Sequence, residues 1–160
     1  MLILDGTVGA DVSAFLNRIY EDTPPCKIMM YSDWLITHSS HAHCNGHDEH
    51  PKGMIYIRVM PEIALKRIQK RSLPATSEIT LEYIQYVYKQ KEELLIEGKN
   101  LPTELQNIPV LVLNGNIDFQ IDFSQFYSHL FYIKRFLNQI QEREDIALGV
   151  YKEKPHRRCC

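Results

Sequence analysis

Met1-Leu-Ile-Leu-Asp-Gly-Thr-Val-Gly-Ala-Asp-Val-Ser-Ala-Phe15 opens the chain and decides how the rest of it is read. A short apolar run over 2–5 ends at Gly6, as a buried strand does, and from Val12 onward Phe15, Leu16 and Ile19 recur at helical spacing, predicting a helix over 12–20. Between the two, Gly6, Gly9 and Ser13 stand as they would in a phosphate-binding loop of the form G-x-x-x-x-G-K-[ST]. Asp11 and Val12 take the places of the second glycine and the lysine. In a working loop that glycine lets the backbone approach the phosphates, the lysine neutralises them and the hydroxyl holds magnesium. Here one position has gained a negative charge and the next has lost a positive one.

The alternation continues downstream. Residues 27–31, 54–59 and 109–113 read as further strands, and Asp33-Trp-Leu-Ile36 begins a helix. Pro61 suits the first turn of a helix and Glu62 its positive end; that helix finishes among Lys70, Arg71 and Ser72. Residues 73–77, with Pro74, read as a loop. Thr80 caps a long helix whose apolar residues Leu81, Ile84, Val87, Tyr88, Leu94 and Leu95 share a stripe. The last helix, over 122–141, carries Phe126, Leu130, Ile133, Phe136, Leu137 and Ile140. Strands alternating with helices predict an α/β fold with a parallel sheet covered on both faces, and ligands in such sheets sit beyond the carboxyl ends of the strands. Gly6, Arg58, the loop after the helix of Arg67, and the segment after Leu113 follow or cap those ends.

At 160 residues, with 44% apolar and 24% charged side chains, the chain reads as one soluble globular domain over 1–150 followed by a basic tail over 151–160. A net charge of −2 gives no general basic surface, so nucleic acid is not expected as a partner. No run of eighteen apolar residues and no charged leader are visible, which makes the cytosol the default address. Cys26, Cys44, Cys159 and Cys160 form no C-x-x-C pair and suit reduced thiols. The terminal Arg-Arg-Cys-Cys fits either a lipidation signal or, preferably, a disordered tail. His38, His41, His43, Cys44, His47 and His50 crowd a polar loop over 38–53. His41, Cys44, His47 and His50 are enough donors for a tetrahedral zinc, but the spacing matches no standard finger, and no metal ligand is assigned.

From Lys52 to about Leu137 the order of motifs resembles the deoxynucleoside kinase family, P-loop enzymes that phosphorylate deoxycytidine, deoxyguanosine and thymidine. The matching pieces are Gly53-Met-Ile-Tyr-Ile-Arg-Val-Met-Pro-Glu62, Arg67-Ile-Gln-Lys-Arg71, Leu81-Glu-Tyr-Ile84, Lys91-Glu-Glu-Leu-Leu95 and Val110-Leu-Val-Leu-Asn-Gly-Asn-Ile-Asp-Phe119. The resemblance implies a nucleoside-kinase-like parallel sheet flanked by helices, with the middle segment shortened, and transfer of a phosphoryl group from ATP with Mg²⁺ to the 5′-hydroxyl of a deoxynucleoside. It also implies that Gly6, Gly9 and Ser13 serve the cofactor. Arg67 and Arg71, one helical turn apart, match the lid arginines that clamp the transferring group and lie against adenine, tasks that suit a planar, permanently charged guanidinium. Phe119, after Asn116 and Asp118, matches the residue stacking on adenine from the other side.

The first half departs from the family. After Tyr20 there is no strand ending in Glu-Pro, whose glutamate accepts the hydroxyl proton in the family. Tyr31-Ser-Asp-Trp34 corresponds either to the tail of the Glu-Arg-Ser-x-Tyr-Ser-Asp motif, making Asp33 a base-contacting residue, or to a later tryptophan-containing helix. The lid reads Arg71-Ser-Leu-Pro-Ala-Thr76 where the family often has Arg-Gly-Arg-x-Glu-Glu. Two functional readings follow. One is a deoxynucleoside kinase. The other is a catalytically impaired kinase-like domain that binds nucleotide or serves as a partner subunit, in a homo- or hetero-oligomer that covers the apolar surface left by the shortened middle.

Overall fold

The computed structural model describes residues 1–22, 28–39, 50–71, 78–118 and 121–147. The strands are short and mostly apolar: β1 (Leu2–Gly6), β2 (Ile28–Met30), β3 (Gly53–Arg58) and β4 (Val110–Asn114). The helices are α1 (Val12–Asp22), α2 (Tyr31–Ser39), α3 (Pro61–Arg71), α4 (Leu81–Leu95) and α5 (Phe123–Ala147), with a short 3₁₀ turn at Thr103–Leu105. All strand pairs are parallel, in the order β2-β1-β3-β4. This is the α/β fold with a helix-flanked parallel sheet that the alternation predicts.

Parallel strands buried on both faces need two cores, and alternate residues of β1 and β3 supply them. Leu2, Leu4, Ile55 and Ile57 pack with Phe15 and Ile19 of α1, Ala64 and Ile68 of α3, and Phe126, Leu130, Ile133, Phe136 and Ile140 of α5. Ile3, Met54 and Tyr56 face the other way, onto Trp34 of α2, Leu95 of α4 and Leu105. By the same alternation Asp5 follows Ile3 and faces the α2 and α4 side.

Several boundaries move. Tyr31, read as the end of a strand, already belongs to α2, where its ring stacks on that of buried Trp34 at 6.2 Å. His38 lies in α2 and Gly53 in β3, so the described ends of the polar 38–53 segment are regular structure. α5 continues past residue 141 to Ala147, its last turns held by Lys52 Nζ on Glu144 Oε2 at 2.9 Å and by Gln141 on Asp145 at 2.9 Å. The cap on α4 is as read: Thr80 Oγ1 accepts the Tyr83 N–H at 3.3 Å. Cys26, His41, His43, Cys44, His47, the 73–77 loop and the 151–160 tail lie outside the described residues. Among those described, no helix is long and apolar enough to cross a membrane and no group of His, Cys, Asp and Glu could hold a metal ion.

Candidate functional site

β1 has β2 on one side and β3 on the other, so the chain reverses direction across the sheet between them. A crevice opens beyond the carboxyl ends of strands at such a switch point. Gly6 stands opposite Ile57 in the register, and Arg58 is one residue further along β3. The turn from β1 into α1 and the turn from β3 into α3 therefore flank the crevice.

Two residues of the β1–α1 turn take positive φ. Gly9 has φ +79 and packs against the backbone of Ala64 in α3, where a side chain would intrude. Asp11 has φ +52, the left-handed conformation that favours glycine, at the position where the motif has its second glycine. The turn is tied down from within the sheet. Thr7, buried, donates its hydroxyl to the Val59 carbonyl at 3.3 Å and accepts the Val59 N–H at 3.1 Å; the Thr7 N–H bonds the Ile57 carbonyl at 3.3 Å. The first amides of α1, from Val12, Ser13 and Ala14, have no carbonyl one turn back within the helix and point beyond its end, which is the arrangement that accepts anions. Ser13 is exposed on that first turn.

Two side chains give this cradle its own character. Val12 does not project as a lysine would: its Cγ2 lies over Gly6, 2.6 Å from where a Cβ would be, and it joins the apolar cluster of α1 and α3. The Asp11 carboxylate meets the guanidinium of Arg71. Arg67, one turn earlier in α3, donates Nη1 to the carbonyls of Gly9 at 3.3 Å and Gly115 at 2.8 Å. Gly115 lies against Ile57 and Val59 so closely that a Cβ would come within 2.6 Å of both, and its N–H bonds the Arg58 carbonyl at 2.7 Å. Arg67 thus pins the phosphate loop to the turn after β4. Asn116 ties the same turn to the segment before α3, accepting the Met60 N–H at 2.8 Å. Arg67, Arg71, Gly6 and Gly9 are brought together, and Asp118 stands exposed in the segment after β4. Asp33 is exposed on the first turn of α2, beside buried Trp34, and Phe119 lies outside the described residues.

On the α2 and α4 side of the same strand ends lies a cluster that reading the motifs missed. Lys91 Nζ sits 2.5 Å from Asp5 Oδ2 and 5.3 Å from the Tyr31 ring centroid, while Asp5 Oδ1 accepts the Gly6 N–H at 2.8 Å. One residue along α4, Glu92 is gripped by Arg58 in a two-point contact, Nε to Oε1 at 2.9 Å and Nη2 to Oε2 at 2.6 Å, and Tyr56 donates its hydroxyl to Oε1 at 3.0 Å. Burial, and then the negative Glu92, push the Tyr56 hydroxyl well above the ordinary phenol range; burial and Asp5 raise Tyr31 in the same direction. The only signal of this cluster in the sequence is the Lys91-Glu92 pair interrupting an apolar stripe, because its partners are 34 and 86 residues away.

A glycine turn leading into a helix N-terminus with arginines beside it, at the switch point of a parallel sheet, agrees with what the chain is similar to. The deoxynucleoside kinase family model matches residues 2–142. Deoxycytidine kinase 1 of Xenopus laevis is 28% identical over 146 residues, which is 88% of this chain and 53% of that protein. Deoxycytidine kinase of Mus musculus is 31% identical over 126 residues, 75% of this chain and 46% of the relative. Mitochondrial deoxyguanosine kinase of Xenopus laevis is 31% identical over 70 residues, 42% of this chain and 26% of its own length. The chain spans about half the length of the deoxycytidine kinases it matches. With the fold, the loop and a family match over nearly all of its described residues in agreement, this chain belongs to the deoxynucleoside kinase family.

Proposed function

We propose that residues 1–150 act as one cytoplasmic domain that binds ATP with Mg²⁺ at the Gly6–Ser13 loop and transfers the γ-phosphoryl group to the 5′-hydroxyl of a deoxynucleoside. The observation that carries this reading is the retained loop backbone: φ is positive at Gly9 and at Asp11, with Arg67 docked on the loop and Arg71 at its mouth. The loop amides and the α1 N-terminus would hold phosphates, Ser13 would hold the metal, and Arg67 and Arg71 would face the transferring group. Asp118 and Phe119 would border the adenine, and Asp33 the nucleoside base. The metal and the arginines supply compensation for charge building up on phosphoryl oxygens, which is most of what such enzymes contribute. Turnover is slow in this reading, because Asp11 opposes phosphate and Val12 offers no charge.

A second reading has a specific observation behind it. With the Asp11 carboxylate already against Arg71, and Val12 folded onto Gly6, the domain would bind nucleotide without transferring a phosphoryl group and act beside a partner subunit. A deoxynucleoside phosphorylation assay on the wild type and on Asp11→Gly/Val12→Lys separates the two. The kinase reading expects measurable wild-type turnover that rises by about 10²-fold in the repaired loop, the size of effect that one well-placed electrostatic contact has on phosphoryl or acyl transfer. ATP binding without turnover in either protein would support the second reading.

A further inference from the structure

A triphosphate held by the Gly6–Ser13 loop needs a cation near its terminal oxygens, and position 12 cannot supply one. The nearby guanidiniums already carry contacts within the protein: Arg67 donates to the carbonyls of Gly9 and Gly115 and Arg71 meets Asp11, which leaves each only part of its donors for phosphate, and Arg58 is bound by both oxygens of Glu92. Lys91 is placed differently. α4 carries it across the sheet face to the end of β1, where its ammonium contacts one oxygen of Asp5 while the other oxygen of that carboxylate holds the Gly6 N–H, the first amide of the loop. The Lys91 side chain is 23% exposed, so it is neither sealed in the core nor surrounded by water. An ammonium has three donors, and the contact with Asp5 leaves two for another acceptor. The Tyr31 ring face at 5.3 Å steadies the charge from beneath.

We propose that Lys91 supplies from α4 the positive charge that the loop lacks at Val12, with Asp5 as its positioning residue, and that it contacts the terminal phosphates of a bound nucleoside triphosphate. The inference rests on the nucleotide-binding reading above. Its physical basis is that a lysine acts on phosphate as a compact charge on a flexible stem, so that what matters is where the ammonium sits and how polar its surroundings are, not which element carries it.

Calorimetric titration of the whole chain with Mg-ATP, Mg-ADP and adenosine tests it through binding alone. Lys91→Met should weaken ATP by about tenfold or more, the equivalent of one charge-assisted contact, weaken ADP less, and leave adenosine unchanged. Adding Val12→Lys to Lys91→Met should return most of the lost ATP affinity, which a lysine serving only as a structural partner for Asp5 would not allow. Asp5→Asn/Lys91→Met makes the same comparison without an uncompensated carboxylate, should the single variant melt below the assay temperature. ATP affinity within about twofold of wild type in a folded Lys91→Met protein overturns the proposal while leaving nucleotide binding intact. So does a loss that Val12→Lys does not restore. Absence of ATP binding by the wild type overturns both this inference and the reading beneath it.

Discussion

The two sides of the crevice between β1 and β3 handle charge in opposite ways. On the loop side, Asp11 holds a left-handed backbone angle that favours glycine and places a carboxylate at the start of α1, where only Arg71 meets it among the contacts described. On the α4 side, Asp5, Lys91, Tyr56, Glu92 and Arg58 are paired in short contacts, with Glu92 accepting three hydrogen bonds. On the second side Glu92, Arg58 and Tyr56 stabilise the fold by satisfying one another after partial removal from water. Asp11 and Arg71 on the first side are partly exposed, and their ion pair contributes little to holding the domain together. Strain and unbalanced charge collect at sites that act on ligands, while balanced charge collects where elements are joined.

The contrast is best broken by removing one charge from each side. Glu92→Ala should destabilise the domain by about 2 kcal/mol in urea unfolding, since it leaves Arg58 and the Tyr56 hydroxyl without their acceptor; partial exposure keeps the loss below that of a fully buried pair. Replacing both partners, as Arg58→Met/Glu92→Leu, should recover most of it. Arg67→Met should cost about 1–2 kcal/mol, because it unties the Gly9 carbonyl from the turn at Gly115 while touching only neutral acceptors. Asp11→Gly should go the other way and stabilise by about 0.5–1 kcal/mol in the same measurement, the relief of the left-handed angle exceeding the loss of a half-exposed ion pair. A destabilisation at Asp11 as large as that at Glu92 would erase the distinction between the two sides.

The smallest effect is in pH. Burial and Glu92 raise the Tyr56 hydroxyl above its ordinary value of 10.0, so its contribution to stability is complete below that value and is lost as pH rises through the higher folded value. Tyr31, raised by burial and by Asp5, adds to the loss in the same direction. Thermal melts from about pH 9 to about pH 12 should fall on the alkaline side, and less steeply in Tyr56→Phe.

Much of this was legible along the chain. The strand-to-helix turn at Gly6, the Pro61 start of α3, the Thr80 cap and the apolar stripe of α5 are local, and each residue's neighbours in sequence are also its neighbours in space. Arg67 and Arg71 share a face for the same reason. What was not legible is what those arginines touch. Arg67 reaches carbonyls of the turns after β1 and β4, which nothing in its own helix announces. His129, next to Leu130 of the apolar stripe, carries no sequence signal of its role, yet it is buried and spans the Gln125 and Asn114 carbonyls at 2.6 and 3.1 Å.

The α/β alternation, the kinase motifs and the chemical departures at Asp11 and Val12 are written in the order of residues, because periodicity, capping and loop geometry act over a few residues. The folding of Val12 onto Gly6 and the meeting of Asp11 with Arg71 come from three-dimensional packing. The same packing brings Lys91 to Asp5 from 86 positions away. The strand order puts β1 beside β3 and lays α4 across both, and charge acts through distance in space, which the order of residues along a chain does not give.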